Sequence, residues 1–306
     1  MISGVQAAEV SIFTRMTALA EQTGALNLGQ GFPDFAGPDA VLEAAIAAMR
    51  AGHNQYPPLP GVPPLRRAIA EHQRRRYGIA LDPDRDIQVT FGATEALAAA
   101  LLALVGPGDE VAFLDPSYDA YPAVVALAGA TSCPIVLRPP HWRLEPAAVE
   151  AAIGPRTRVL LLNSPHNPTG RVLAGDELEL LAATCRERDL IALPDEVAGG
   201  LATSLRAKRD RLADGLRGAG FDVLPSAATY FLNADGTPLG EPDATALCER
   251  LVREAGVVAI PIAAFAADPN GATRSLVRFA FPKGDGVIDE AVRRIARWAS
   301  ERAKPE

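Results

Sequence analysis

Between Asp86 and Val197 the chain alternates short apolar runs with helical ones, and this alternation limits its fold more than any other feature. "DIQVTFG", "DEVAFLD", "TSCPIVL", "TRVLLLNSP" and "LIALPDEV" read as continuous apolar strands. "ATEALAAALLALV", "SYDAYPAVVALAG" and "AGDELELLAATCRERD" read as the helices that separate them. Such a pattern predicts an α/β fold, a mostly parallel sheet covered by helices on both faces.

The flanks read differently. A polar opening helix leads into the Gly/Pro-rich loop "LNLGQGFPDFAGPDA". The helix "DAVLEAAIAAMRAG" follows, with Asp39 near its start and Gly52 after its end. "NQYPPLPGVPPLRRAIAEHQRRRYG" repeats the order of loop then helix, and its proline-rich part predicts a stiff loop. From Gly199 onward come a long amphipathic helix, short strands in "TYFLNAD" and "SLVRFAF", and a closing helix from Ile288. This predicts a smaller α+β domain built from 199–306 together with 1–37, beside a large domain over 38–198. No internal repeat is present.

Composition narrows the partners. A hydrophobic content of 48% with 22% charged residues describes a soluble globular chain. A net charge of −7 with scattered arginines argues against nucleic acid and against an anionic membrane surface, while small acidic ligands stay open. Cys133, Cys185 and Cys248 are odd in number and far apart, which suits free thiols in a reducing, cytoplasmic compartment. The start has no basic region followed by an apolar run, and no 18-residue apolar stretch follows, so neither export nor a membrane span is expected. His53, His72, His141 and His166 lack metal-ligand spacing, and no G-x-G-x-x-G occurs.

In open parallel sheets ligands collect beyond the carboxyl ends of the strands. After "QVTFG", Gly92 allows close approach and the amides of Ala93 and Thr94 open a helix, as a phosphate site or as a plain turn with a threonine cap. Tyr118, after "DEVAFLD", is a stacking face for a planar ligand or a packed core residue. Asn167 in "SPHNPTG" presents an amide to a ligand or forms an Asx turn. Asp195 ends an apolar strand, where a carboxylate needs a cation or donors unless it caps a loop. Arg278 interrupts "LVRFAF", either as a fork for a substrate carboxylate or as a surface arginine on an edge strand.

Together, "LNLGQGFPDF", "NQYPPLPGVPPLRRAIA", "VTFGATEAL", "NSPHNPTG", "PDEV" and "LVRFAF" resemble the fold-type I, class I/II pyridoxal-phosphate aminotransferases, most closely the kynurenine, methionine and N-succinyldiaminopimelate aminotransferase-like group. The motifs run in the family's order through nearly all of both halves. The resemblance implies pyridoxal 5'-phosphate as cofactor, transfer of an amino group between an amino acid and a 2-oxo acid, and a homodimer. It implies that Gly31 and Asn167 border the substrate, with Asn167 also facing the cofactor's phenolic oxygen. Tyr118 would stack on the ring, Ala93 and Thr94 would hold the phosphate, and Tyr56 would reach the neighbouring subunit's phosphate. Asp195 would pair with the ring nitrogen, and Arg278 would grip the α-carboxylate.

The chain departs from the family at one place. The family has a lysine several dozen residues after the aspartate, in a Ser-x-x-Lys-like segment, which tethers the cofactor and carries the proton. That segment is absent here, and the family's tyrosine in "DEVY" is replaced in Asp195-Glu196-Val197-Ala198. "AGGLATSLRAKRD" then resembles the family's later small-domain helix, as though a block had been excised in frame across Val197 to Gly199.

No catalytic residue is therefore assigned. Lys304 lies in the polar tail and Lys283 in a turn on the face opposite Arg278, so it is expected to be solvated. Lys208 falls near the apolar stripe of Leu201, Leu205, Leu212 and Leu216, where its stem would pack and its amine reach water. By the resemblance the missing block also supplies two strands between those of Asp195 and "QVTFG", together with arginine and serine contacts to the phosphate, so unpaired strand edges are expected. Three readings stay open: a working aminotransferase, a non-catalytic ligand-binding or dimer-partner pseudoenzyme, and a defective deletion remnant.

Overall fold

The computed structural model describes residues 12–195 and 202–302. Glu196 to Leu201, and Lys304 with its neighbours, lie outside the described residues; so do the altered "DEVY" position at Ala198, the proposed excision point and Leu201 of the apolar stripe. In chain order the first elements are α1 (Ile12–Thr23), β1 (Leu26–Asn27), α2 (Asp39–Arg50), α3 (Pro63–Tyr77) and α4 (Gly92–Leu104). The alternating region follows as β2 (Glu110–Asp115), α5 (Ala120–Leu127), β3 (Thr131–Val136), α6 (Pro146–Ala152), β4 (Thr157–Asn163), α7 (Gly175–Glu187) and β5 (Ile191–Asp195). The rest is α8 (Ala202–Gly218), β6 (Asp222–Val223), β7 (Phe231–Asp235), α9 (Ala244–Arg250), β8 (Val257–Val258), β9 (Ile260–Pro261), β10 (Leu276–Ala280) and α10 (Asp285–Arg302). Among the described residues no helix is long and apolar enough to cross a membrane.

The alternating region forms a parallel sheet in the order β3-β2-β4-β5. Because side chains alternate across a strand, its two faces enter different cores. Val111, Phe113, Val159 and Leu161 pack with Leu97 and Leu101 of α4 and Val124 of α5. Ala112, Leu114 and Leu160 face the opposite way, toward Leu181 of α7 and a larger core that also holds Leu205, Leu212 and Leu216 of α8. That second core continues without a break into the antiparallel sheet β6-β7-β10-β9 and into Ile288, Ile295 and Trp298 of α10. A two-stranded parallel pair, β1 with β8, ties the N-terminal segment to this half.

Helix ends follow local rules. Pro63 occupies the first turn of α3, where a missing N–H costs nothing, and Gly78 closes the helix with φ 71°. Asp243 caps α9 by accepting from the amides of Thr245 and Ala246.

One expected strand does not form. "DIQVTFG" has no regular secondary structure at residues 87–90 and pairs with no strand among the described residues. Its polar groups go to the proline-rich loop instead: the Val89 amide donates to the Pro60 carbonyl at 3.0 Å, and the Gln88 side chain donates to the Leu59 carbonyl at 2.9 Å. A run this apolar becomes a strand only beside another strand, and among the described residues the sheet ends at β5. The open edge is wet, with Ile191 46% exposed.

Both described lysines also differ from expectation. Lys283 is 2% exposed rather than solvated, because the loop after β1 folds over it. Its Nζ donates to the Phe32 carbonyl at 2.6 Å and lies 4.2 Å from the Phe32 ring centroid. Lys208 packs its stem, but its amine is held by the Asp285 carboxylate at 2.9 Å and by the Lys283 carbonyl instead of reaching free into water.

Candidate functional site

The carboxyl ends of β2, β4 and β5 and the middle of β10 converge on one cluster. Asp195 is the last residue of β5 and sits directly across from Asn163, the last residue of β4. Asn163 holds the cluster together: its Nδ2 donates to the Asp195 carbonyl at 2.8 Å, and its Oδ1 accepts from the Asn167 amide at 2.7 Å. The Asn167 side-chain oxygen in turn accepts from Arg278 at 3.2 Å. On the other side, the Tyr121 hydroxyl donates to Asp195 Oδ2 at 2.6 Å. Tyr121 meets Tyr118 edge to face, with ring centroids 5.7 Å apart. A continuous polar chain thus runs from Arg278 through Asn167 and Asn163 to Asp195 and Tyr121.

Arg278 is buried in β10, flanked by β7 and β9, so it is not an edge-strand surface residue. Its guanidinium lies 3.8 Å from the Phe231 ring centroid and 4.4 Å from that of Phe265, and it donates to the Gly29 carbonyl at 3.2 Å. Nε has no hydrogen-bond partner, and among the described residues no carboxylate forms an ion pair with this cation. Burial pushes its pKa down to about 9, against the opposing influence of Asp119 and Tyr230. A buried cation in this state costs several kcal/mol, roughly, unless an anion joins it. The aromatic faces offset only part of that.

Gly31 lies under Tyr230: a Cβ on Gly31 would fall 2.3 Å from a Tyr230 ring carbon. The turn that places Tyr230 there contains Thr229 at φ 64°, a costly conformation for a β-branched residue. A glycine carbonyl on Arg278 and a glycine under Tyr230 bring the "GQG" loop against the cluster.

Other expected site residues stand apart. Ala93 and Thr94 open α4, but both are exposed, and the Glu95 carboxylate already accepts from the Phe91 amide at that helix start. Tyr56 is 99% exposed. Neither lysine joins the cluster by any described hydrogen bond: the Lys283 ammonium serves the Phe32 carbonyl, and that of Lys208 serves Asp285. Asn163 and Tyr121 do not stand out in the sequence. Asn163 carries the same signal as Asp195, a polar residue ending an apolar strand, and Tyr121 lies one helical turn after Tyr118. Among the described residues no group of side chains could hold a metal ion.

Comparison with known proteins adds the following. The family model for aminotransferase class I and II matches residues 23–204 and 198–295. The chain is 38% identical to the probable N-succinyldiaminopimelate aminotransferase DapC of Mycobacterium tuberculosis, over 99% of this chain and 99% of that protein. It is 33% identical to the methionine aminotransferase of Escherichia coli, over 93% of this chain and 95% of the relative. The solved mycobacterial N-succinyldiaminopimelate aminotransferase superposes with a TM-score of 0.89 at 39% identity, covering 95% of this chain and 97% of the other. The DapC alignment runs over 395 positions, more than the 306 residues of this chain, so the mycobacterial protein carries stretches with no counterpart here. The two pieces of the family match meet at residues 198–204.

Proposed function

The chain belongs to the class I and II aminotransferases, and from that membership we propose that it keeps the ligand-holding half of such an enzyme. In this reading it binds a pyridoxal phosphate ring and, beside it, the carboxylate of an amino acid or 2-oxo acid, without the tether on which amino transfer depends. Pyridoxal phosphate is the cofactor the family implies. When bound, it supplies an electron-accepting ring next to the substrate's α-carbon.

The residues present fit the ring end of that group. Asp195 offers a carboxylate to a ring nitrogen, Tyr118 an aromatic face, and Asn167 an amide between the ring and the arginine. Arg278 gives the substrate carboxylate a planar fork, and the two phenylalanine rings exclude water behind it. Ala93 and Thr94 offer backbone amides to a phosphate at the start of α4, in competition with Glu95. The exposure of Tyr56 supports its reaching a second copy, and hence a homodimer.

The observation that carries the reading is the buried Arg278 guanidinium, which lacks an ion-pair partner among the described residues, while Lys208 and Lys283 donate elsewhere. The test mixes the purified chain with pyridoxal phosphate, reduces with borohydride and maps adducts by mass spectrometry. No stoichiometric adduct is expected at Lys208 or Lys283; a full adduct at one of them would restore the working-enzyme reading. In a second arm, 2-oxoglutarate is titrated in the presence of pyridoxamine phosphate. Arg278→Gln is expected to weaken its binding roughly tenfold to a hundredfold, the range for a charge-assisted fork.

The open edge at β5 and the unpaired segment 87–90 favour a second reading, a deletion remnant that binds neither ligand. Absence of any pyridoxamine phosphate binding would select it.

A further inference from the structure

The Tyr121 hydroxyl is the polar group of the cluster that the family motifs leave without a role. Tyr121 is buried at the start of α5, against Phe113 at 6.0 Å and Tyr118 at 5.7 Å between ring centroids. Its hydroxyl meets Asp195 Oδ2 at 2.6 Å, a length typical of a hydrogen bond to an ionised acceptor. Burial and the adjacent carboxylate both push the phenol's pKa up, so it remains a donor. The Asp195 main-chain carbonyl is already occupied by Asn163. Among the described residues no side chain or amide reaches Asp195 Oδ1, so within them only one carboxylate oxygen is held.

We propose that Tyr121 is a positioning residue for the cofactor ring: by holding Oδ2 it turns Oδ1 of Asp195 toward the ring nitrogen, while its own ring edge sets the tilt of Tyr118 against the ring face. This rests on the ligand-holding reading above and adds a residue to it. A core tyrosine that merely borrows a nearby carboxylate would make the same hydrogen bond, but its removal would disturb every ligand alike. The hydroxyl of a positioning tyrosine acts only through the ring nitrogen, and the ring itself is kept in Tyr121→Phe. That difference can be measured.

The probes are pyridoxamine 5'-phosphate, which needs no lysine to bind, and its analogue with carbon in place of the ring nitrogen. Both are titrated calorimetrically into the full chain. Tyr121→Phe, which removes one oxygen, is expected to weaken pyridoxamine phosphate about tenfold and to leave the carbon analogue unchanged. Asp195→Asn is expected to abolish the preference for the nitrogen-containing ligand, and adding Tyr121→Phe to it to cost nothing more. Equal losses for both ligands in Tyr121→Phe, or no loss, overturn the proposal. Should Tyr121→Phe fail to melt like the wild type, the comparison is read in Asp195→Asn, where an unchanged preference overturns it. If the wild type binds neither ligand, the ligand-holding reading itself fails, an outcome distinct from a wild type that binds both and a variant that does not discriminate.

Discussion

His166 precedes Asn167 in the loop after β4 and is enclosed completely, with Nδ1 2.7 Å from the Thr169 hydroxyl. Burial, helped by Arg171, drives its pKa from 6.5 down to about 3. The folded protein therefore keeps this ring neutral where the unfolded chain would protonate it. The stability that depends on a neutral ring is present above pH 6.5 and drains away as pH falls toward 3, by about 1.4 kcal/mol per pH unit. Urea unfolding at pH 7.5, 6.5 and 5 is expected to show this slope between the last two values, and His166→Gln to reduce it by about that amount; an identical slope in the variant would contradict the assignment. Lys283 shows why such burial was not legible in the sequence. Strand alternation sets it opposite Arg278, but Lys283 lies beyond the end of β10 and its cover comes from Phe32, some 250 residues earlier. Pairing over that separation leaves no local pattern. Arg278 and Asp195 were legible for a different reason: a charge inside an apolar strand conflicts with its surroundings, and the conflict is visible in a few residues.

At the scale of elements, the strands of the parallel sheet and helices α5 and α7 could be read directly, because continuous apolar runs and 3.6-residue stripes are local properties; the short α6 between β3 and β4 is not among the expected helices. The strand expected in "DIQVTFG" could not, since strandedness requires a neighbour and among the described residues the sheet stops at β5. This difference has a measurable form. In hydrogen exchange, amides of β2 and β4, each paired on both sides, are expected to be the slowest of the large half. Those of Gln88 and Thr90 should exchange as fast as loop amides. Protection of 87–90 comparable to β4 would mean that the segment finds a strand partner in solution. Glu177 marks a well-fastened junction nearby. Its buried carboxylate accepts from the amides of Leu144 and Ala174, both at 2.8 Å, and pairs with Arg171, securing the start of α7 and the loop after β4 together.

For the whole molecule, apolar surface is unevenly distributed. The core behind β7, β10, α8 and α10 is closed, while α2 buries no side chain and α3 buries only Arg66. Val41, Leu42, Met49, Leu59 and Phe91 are exposed, Phe91 to 94%. Large apolar side chains left exposed in this number are candidates for an interface, or an aggregation liability. Sedimentation is expected to show a dimer or larger species at micromolar concentration, and the paired substitutions Leu59→Lys and Phe91→Lys to shift it toward monomer; a monodisperse wild-type monomer would leave that surface without an occupant. Arg278 has a consequence at this scale as well. Its guanidinium lies in the closed half, while Asn167 lies in the loop after β4 and Asp195 ends β5 of the parallel sheet, so a small carboxylate lodged there would act as a rivet between the two halves. The chain's survival time against heat or protease would then rise and fall with the supply of such acids, even if it never transforms one.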